Sequence, residues 1–320
     1  MKSKLLITIG DVNGIGPEII LKSIKLLAGN KKFELSIVSP VEVLEFYTKL
    51  FRCENLLEDI FVVNLKVKKL KAQPGKISRL SGYASGAAIK KAVKLCLKKK
   101  YDGIVTAPIS KEALNLGGFN FGGHTEMLLR YGKAKDNLML MSGKKMKVAF
   151  VTTHPPLKKV ASLINRKRIL SKLKLSYNSL KLDFNIRNPK IAMLGLNPHA
   201  GDGGLIGTEE KKILKPVIET FNKKKKSKVV HGPFSADAYF ANQSYRKYDL
   251  TLAMYHDQGL IPFKMMERFD GVNFTAGLKF VRTSPDHGTA FDIAGKGIAD
   301  ARSFVNAIHL ADKIIRNRRN

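Results

Sequence analysis

Short β-branched runs alternate with longer amphipathic stretches along almost the entire chain, and this alternation restricts the fold more than any other feature. Successive strands separated by a helix run parallel, because the crossover returns the chain to the same end of the sheet. The pattern therefore predicts the α/β class with a mostly parallel sheet. Strands are expected over 5–10, 34–39, 60–65, 103–107, 147–152, 190–195, 250–255 and 278–282. Helices are expected over 17–27, 85–99, 167–180, 209–222 and 302–316. The first helix opens on Pro17 and Glu18, where a missing N–H and a negative charge both suit a helix start, and it stops at Gly29 and Asn30. With 320 residues, 44% of them hydrophobic, the chain can bury one large or two moderate cores. No Pro/Gly/Ser-rich linker divides it, so a second domain would be an insertion into the first.

The charge is unusual: 57 Lys+Arg against 26 Asp+Glu, a formal net charge of +31. Such a field attracts phosphate backbones. The lysines, however, are scattered along helix-like stretches such as 98–100, 158–159 and 223–226, without interleaved aromatics or a zinc-finger, basic-zipper or RNA-recognition signature. They read as solvated faces, with no specific nucleic-acid partner expected and a preference for small anionic ligands remaining. Cys53 and Cys96 form no CxxC or disulfide framework and fit a reducing compartment, so a cytoplasmic location is expected. The apolar run after Met1 is short and breaks at Gly10 and Asp11, which suits a first strand rather than a signal peptide. No stretch approaches the roughly 18 uninterrupted apolar residues of a membrane span, so no membrane partner is expected.

Glycine-dense loops are expected after strands at 10–18, 197–210, 255–264 and 282–297, and ligands of open α/β sheets bind beyond the carboxyl ends of strands. No dinucleotide fingerprint is present: Gly14-Ile15-Gly16 and Gly201-Asp202-Gly203 both lack the third glycine, and no phosphate-binding GxxxxGK[ST] occurs. His154, His199 and His256 each lie in a polar loop after a strand. Each alone fits an ordinary hydrogen-bonded histidine, whereas the three together fit a shared divalent cation with open coordination positions. His124, with Thr125 and Glu126, fits the first turn of a helix, which is either a plain cap or a place for a phosphate or carboxylate. Lys264, Asn273, Arg282 and the 284–288 turn form a last polar group. A guanidinium fork and an ammonium there suit an anionic substrate.

Seven motifs in order, GDxxGIGPE, TAPISKEALN, GHTE, NPHAGDGG with its following acidic pair, GPFSADAYF, YHDQGLIPFK and the 271–300 segment, resemble the 4-hydroxythreonine-4-phosphate dehydrogenase family of vitamin B6 biosynthesis. The resemblance spans residues 5 to about 311. It implies the isocitrate/isopropylmalate dehydrogenase type of fold, with two α/β domains and a cleft between them. It also implies a first domain of 1–130 plus about 257–320, with about 131–256 inserted as a second domain carrying dimer contacts. A homodimer with its active site at the subunit interface follows from the same resemblance, as does NAD or NADP bound without the usual fingerprint. So does one divalent ion per subunit (Zn, Mg or Co). The family's metal ligands match His154, His199 and His256, and its substrate-binding positions match His124, Thr125, Lys264, Asn273 and Arg282. Asp237 matches an acidic position near that site, and Asp237 and Lys264 are the candidates for a catalytic part.

The implied reaction oxidises 4-phosphooxy-L-threonine to 2-amino-3-oxo-4-phosphooxybutanoate, which decarboxylates to 3-amino-2-oxopropyl phosphate. A same-fold dehydrogenase of another four-carbon acid 4-phosphate, of the erythronate or threonate type, fits the same residues. A phosphate acyltransferase shares the alternating organisation but has no need of three loop histidines. Residues 66–80 read as a compressed, basic connection.

Overall fold

The computed structural model of the protein describes residues 1–320, which separate into two compact units. Met1–Lys135 and Leu278–Asn320 form one, and Asp136–Gly277 the other. The chain enters the first unit through β1 (Ser3–Thr8), α1 (Gly16–Leu26), β2 (Phe33–Ser39), α2 (Val41–Leu50), β3 (Phe61–Asn64), α3 (Arg79–Leu97), β4 (Gly103–Thr106), α4 (Lys111–Leu116) and α5 (His124–Gly132). It then builds the second from β5 (Leu138–Ser142), β6 (Lys147–Phe150), α6 (Val160–Leu163), α7 (Arg166–Leu182), β7 (Ile191–Leu194), α8 (Lys215–Lys225), β8 (Val230–Phe234), α9 (Ala236–Ala241), β9 (Leu250–Ala253), α10 (His256–Glu267) and β10 (Val272–Ala276). β11 (Val281–Pro285) and α11 (Arg302–Arg319) return to the first.

In the first unit the strands lie in the order β3-β2-β1-β4-β11, all parallel. The interior strands are buried on both faces and are accordingly continuous runs of Leu, Ile and Val. Leu5, Leu6, Ile7, Ile104 and Val105 expose none of their surface. The face of α3 is made of small residues for a steric reason: a Cβ on Gly82 would lie 1.7 Å from the Ala113 carbonyl oxygen, so α3 and α4 approach as closely as they do only with glycine there. Ser78 caps α3, its hydroxyl accepting the Ser81 amide at 3.1 Å. That cap places the helix start ahead of the expected 85, because Gly82 and Gly86 interrupt the apolar period from which the start was read.

The second unit orders its strands β10-β5-β6-β9-β7-β8. β5 is antiparallel to both β10 and β6, while β6, β9, β7 and β8 run parallel. Phe150, Leu194, Tyr239, Phe263 and their neighbours make its core. The expected loop 255–264 is instead the helix α10, with Pro262 inside it. Gly259 faces the sheet so closely that a Cβ would lie 2.5 Å from Val148 Cγ1. Gly259, which suggests a loop in the sequence, here serves close packing. Because α10 packs on β6 and β9, and β10 pairs with β5, residues 257–277 belong to the second unit rather than the first.

The irregular segment 66–78 is pinned at 73–76 by a single residue. Asn13, fully buried, donates from Nδ2 to the Lys76 carbonyl at 2.7 Å and accepts the Gln73 amide at 2.8 Å. Its own carbonyl accepts the Gly75 amide at 2.8 Å.

Candidate active site

β6, β9 and β7 are adjacent and parallel, so their carboxyl ends lie at one edge of the second unit's sheet, and adjacent strands are about 4.8 Å apart. The segments leaving these three strands carry His154, His256 and His199 respectively, His256 as the first residue of α10. His154 and His256 stand side by side, their ring centroids 5.6 Å apart and tilted by 46°. With metal–nitrogen bonds of roughly 2.0–2.1 Å, two imidazoles at such a spacing can reach one ion. His256 opens α10, stacks on Phe150 and shares a 2.6 Å hydrogen bond between Nδ1 and the Asp257 carboxylate. A carboxylate on Nδ1–H leaves the Nε2 lone pair for a ligand, the usual arrangement behind a metal-bound histidine.

His199 sits in the 198–204 turn, in the left-handed region with φ 52°, followed by five more residues of positive φ. Glu210, 2% exposed, holds this turn: its carboxylate accepts the amides of Leu196 at 2.7 Å and Asn197 at 2.8 Å, and Asn197 Nδ2 at 2.9 Å. No group of three or more His, Cys, Asp or Glu side chains gathers within the chain closely enough to hold an ion. The neighbour of His199 is Asp237, just beyond β8. The Ser235 hydroxyl, donating at 2.5 Å, together with the Ala238 amide and His199, holds the Asp237 carboxyl below its ordinary range. Lys264 is exposed on α10. Asn273 lies in β10 opposite Met141, and its buried Oδ1 has no hydrogen-bond partner within the chain. That oxygen is an acceptor awaiting a donor.

The other matched residues form a group in the first unit. Arg282, 2% exposed, lies in β11 beside β4 and donates from Nε and Nη2 to Thr106 Oγ1 at 3.2 and 2.7 Å. Burial pushes its guanidinium pKa down to about 9. His124 is the first residue of α5 after Gly123, with Thr125 half-buried beside it. Burial, and then the nearby Arg282 charge, push the His124 pKa well below its usual 6.5, so the ring is neutral at pH 7. Its Nε2 is buried without a partner. A buried guanidinium, a neutral imidazole with an open nitrogen and the amides of a helix N-terminus together suit a phosphate or carboxylate oxygen.

Thr106 and Glu210 lie in motifs quoted from the sequence, TAPIS and the acidic pair after the glycine turn, yet received no role there. A threonine at a strand end and a glutamate before a helix are ordinary in sequence. Their importance appears only once Arg282 and the 196–204 backbone are seen against them.

The chain matches the family model described as pyridoxal phosphate biosynthetic protein PdxA over residues 16–311. The 4-hydroxythreonine-4-phosphate dehydrogenase of Sulfurihydrogenibium sp. is 42% identical, covering 96% of this chain and 97% of its own. The D-threonate 4-phosphate dehydrogenase of Salmonella typhimurium is 37% identical, over 95% of this chain and 97% of its own. The crystal structure of the Klebsiella pneumoniae 4-hydroxythreonine-4-phosphate dehydrogenase superposes with a TM-score of 0.85 at 35% identity, over 98% of each chain. At 12% identity the fold alone extends to isocitrate dehydrogenase of Methylococcus capsulatus, with a TM-score of 0.50 over 99% of this chain and 87% of that one. The fold is thus of the isocitrate/isopropylmalate dehydrogenase type, and the chain belongs to the PdxA family of pyridoxal phosphate biosynthesis, an oxidoreductase family.

Proposed function

We propose that the chain oxidises 4-phosphooxy-L-threonine with NAD or NADP and a divalent ion, giving 2-amino-3-oxo-4-phosphooxybutanoate, which decarboxylates to 3-amino-2-oxopropyl phosphate. The observation that carries this reading is the paired His154 and His256 at the carboxyl ends of adjacent parallel strands. When bound by these two residues and His199, the ion would acidify the secondary alcohol and polarise the ketone, while the nicotinamide would accept the hydride.

The side chains divide the remaining work. Arg282, His124 and Thr125 anchor an anionic end of the substrate, and Lys264 supplies a further ammonium. Held orientation of this kind can contribute several kcal/mol, on the order of a well-placed intramolecular reaction. The open Asn273 Oδ1 accepts from a substrate N–H or O–H. Asp237 keeps its proton off and therefore serves His199 as an electrostatic partner better than it serves as a base. Lys264 is then the candidate for moving the proton.

A homodimer completes this proposal. Leu157, Leu205 and Met265 expose 73%, 88% and 75% of their surface in the second unit, on or next to elements carrying His154, His199 and Lys264. Large apolar side chains so placed are suited to burial against a second copy. The free Cys53 and Cys96 support work in the cytoplasm. No helix is long and apolar enough to cross a membrane.

The relatives named D-threonate 4-phosphate dehydrogenases favour a second reading, oxidation of that substrate at the same site. Following NADH and NADPH formation with each substrate, with and without chelator, separates the two. We expect chelator-sensitive turnover of 4-phosphooxy-L-threonine by a dimer. Faster turnover of D-threonate 4-phosphate would move the assignment to the second reading. Turnover indifferent to chelation, or a fully active monomer in sedimentation, would remove the metal or dimer part.

A further inference from the structure

The strands of the first unit have a second end. At the amino ends of β1 and β2 lies a pocket of about 840 Å³, while Thr106 sits at the carboxyl end of β4. Register explains why it is open. Lys4 pairs with Glu34 and Ser36 with Phe61, so alternate residues of β1, β2 and β3 share one face. On that face Lys4 and Glu34 are exposed, and Phe61 on the edge strand leaves 66% of its surface in solvent.

The lining is unbalanced in charge, with five cationic side chains against two carboxylates. One of those carboxylates is already engaged: Asp102 accepts the Lys4 amide at 2.7 Å and forms an ion pair with Arg319 at 2.7 Å. Lys2, Lys4, Lys99 and Lys100 then face the single remaining acid, Glu34. In a chain of +31, lysines alone would be a solvated face. Here a concavity of small-ligand size and two aromatic side chains, Phe61 and Tyr101, accompany them. Ammonium groups suit phosphate oxygens, and an exposed phenyl ring suits a planar base stacked on it.

We infer that this pocket binds a ring-bearing polyanion of the nucleoside di- or triphosphate class, at a site separate from the anchor residues Arg282 and His124.

Isothermal titration of the full chain at physiological salt with ATP, tripolyphosphate and adenosine tests the inference. A dinucleotide site elsewhere could also admit ATP, so variants decide. Lys4→Ala with Lys100→Ala should weaken both ATP and tripolyphosphate by about tenfold or more, the equivalent of one charge-assisted bond. Phe61→Ala should bring ATP close to tripolyphosphate and leave tripolyphosphate unchanged. A control pair on α8, Lys223→Ala with Lys224→Ala, removes the same charge and should change neither. Equal losses in the control pair would mean that only the overall field is felt, and the inference falls. It falls also if Phe61→Ala leaves the preference for ATP intact, or if neither phosphate binds.

Discussion

The two units handle their functional groups in opposite ways. In the first, Arg282 and the His124 ring nitrogen are buried, and burial is the main cause that shifts both from their ordinary proton affinities. In the second, His154 and His199 are exposed and His256 is half-buried. A buried cation is desolvated before any ligand arrives, so an anion meeting it gains the full charge-assisted bond without displacing much water. An exposed imidazole is cheap for the fold and waits for something else to organise it. The first unit should therefore tolerate little change in charge or volume, whereas the second should lose function without losing structure.

His256→Ala is the strongest way to break that contrast. We expect turnover to fall by about a thousandfold or more, the scale of a lost metal-held transition state, with circular dichroism and melting temperature nearly unchanged. Retained turnover in the chelated variant would place the chemistry elsewhere.

Arg282→Lys keeps the charge and loses the fork to Thr106. A decrease in kcat/KM of about tenfold to a hundredfold is expected, from one charge-assisted bond of about 1.5–3 kcal/mol. Divalent-ion affinity, measured by equilibrium dialysis on the same sample, should not move. If metal affinity falls and substrate affinity holds, the division of labour between the units is wrong.

Glu210→Gln sharpens the comparison from the structural side, since this buried carboxylate accepts three N–H groups. The amide replacement places donors where acceptors are needed, and denaturant titration should show a loss of about 1–3 kcal/mol. The exposed Asp237, changed to Asn, should by contrast leave the denaturation midpoint nearly where it was.

The smallest effect is in pH. A histidine whose folded pKa lies below its unfolded value is more readily protonated when unfolded. Its contribution is therefore present above the ordinary 6.5 and is lost as pH falls below it. The wild-type melting temperature should decline below that pH more steeply than that of His124→Gln, which cannot titrate. Parallel curves would show that His124 is solvated rather than buried beside Arg282.

The parallel strands were legible because buried strands have to be apolar throughout, as in 5–9 and 103–107. β8 and β10 were not, since HGPF and VNFTA carry too short an apolar signal, and α10 was hidden by Gly259 and Pro262. The site histidines could be picked out because a strand's end and a polar loop can both be read locally. The roles of Thr106 and Glu210 depend on which backbone or guanidinium arrives beside them through the fold, and the open Asn273 acceptor depends on burial without a partner. None of these is encoded in neighbouring residues.

The Asn13 clamp has a consequence for how the first unit breathes. Because one side chain and its own carbonyl together secure Gln73, Gly75 and Lys76, opening of that stretch is coupled to the 10–18 turn: the Gln73 and Gly75 amides are released when Asn13 lets go. Hydrogen exchange at Gln73 and Gly75 should therefore follow that of Asn13 and Gly14 rather than that of the irregular chain around 66–71. Extra residues inserted before Leu70 would lengthen a tether, whereas a single one between Gln73 and Lys76 would free the whole stretch at once.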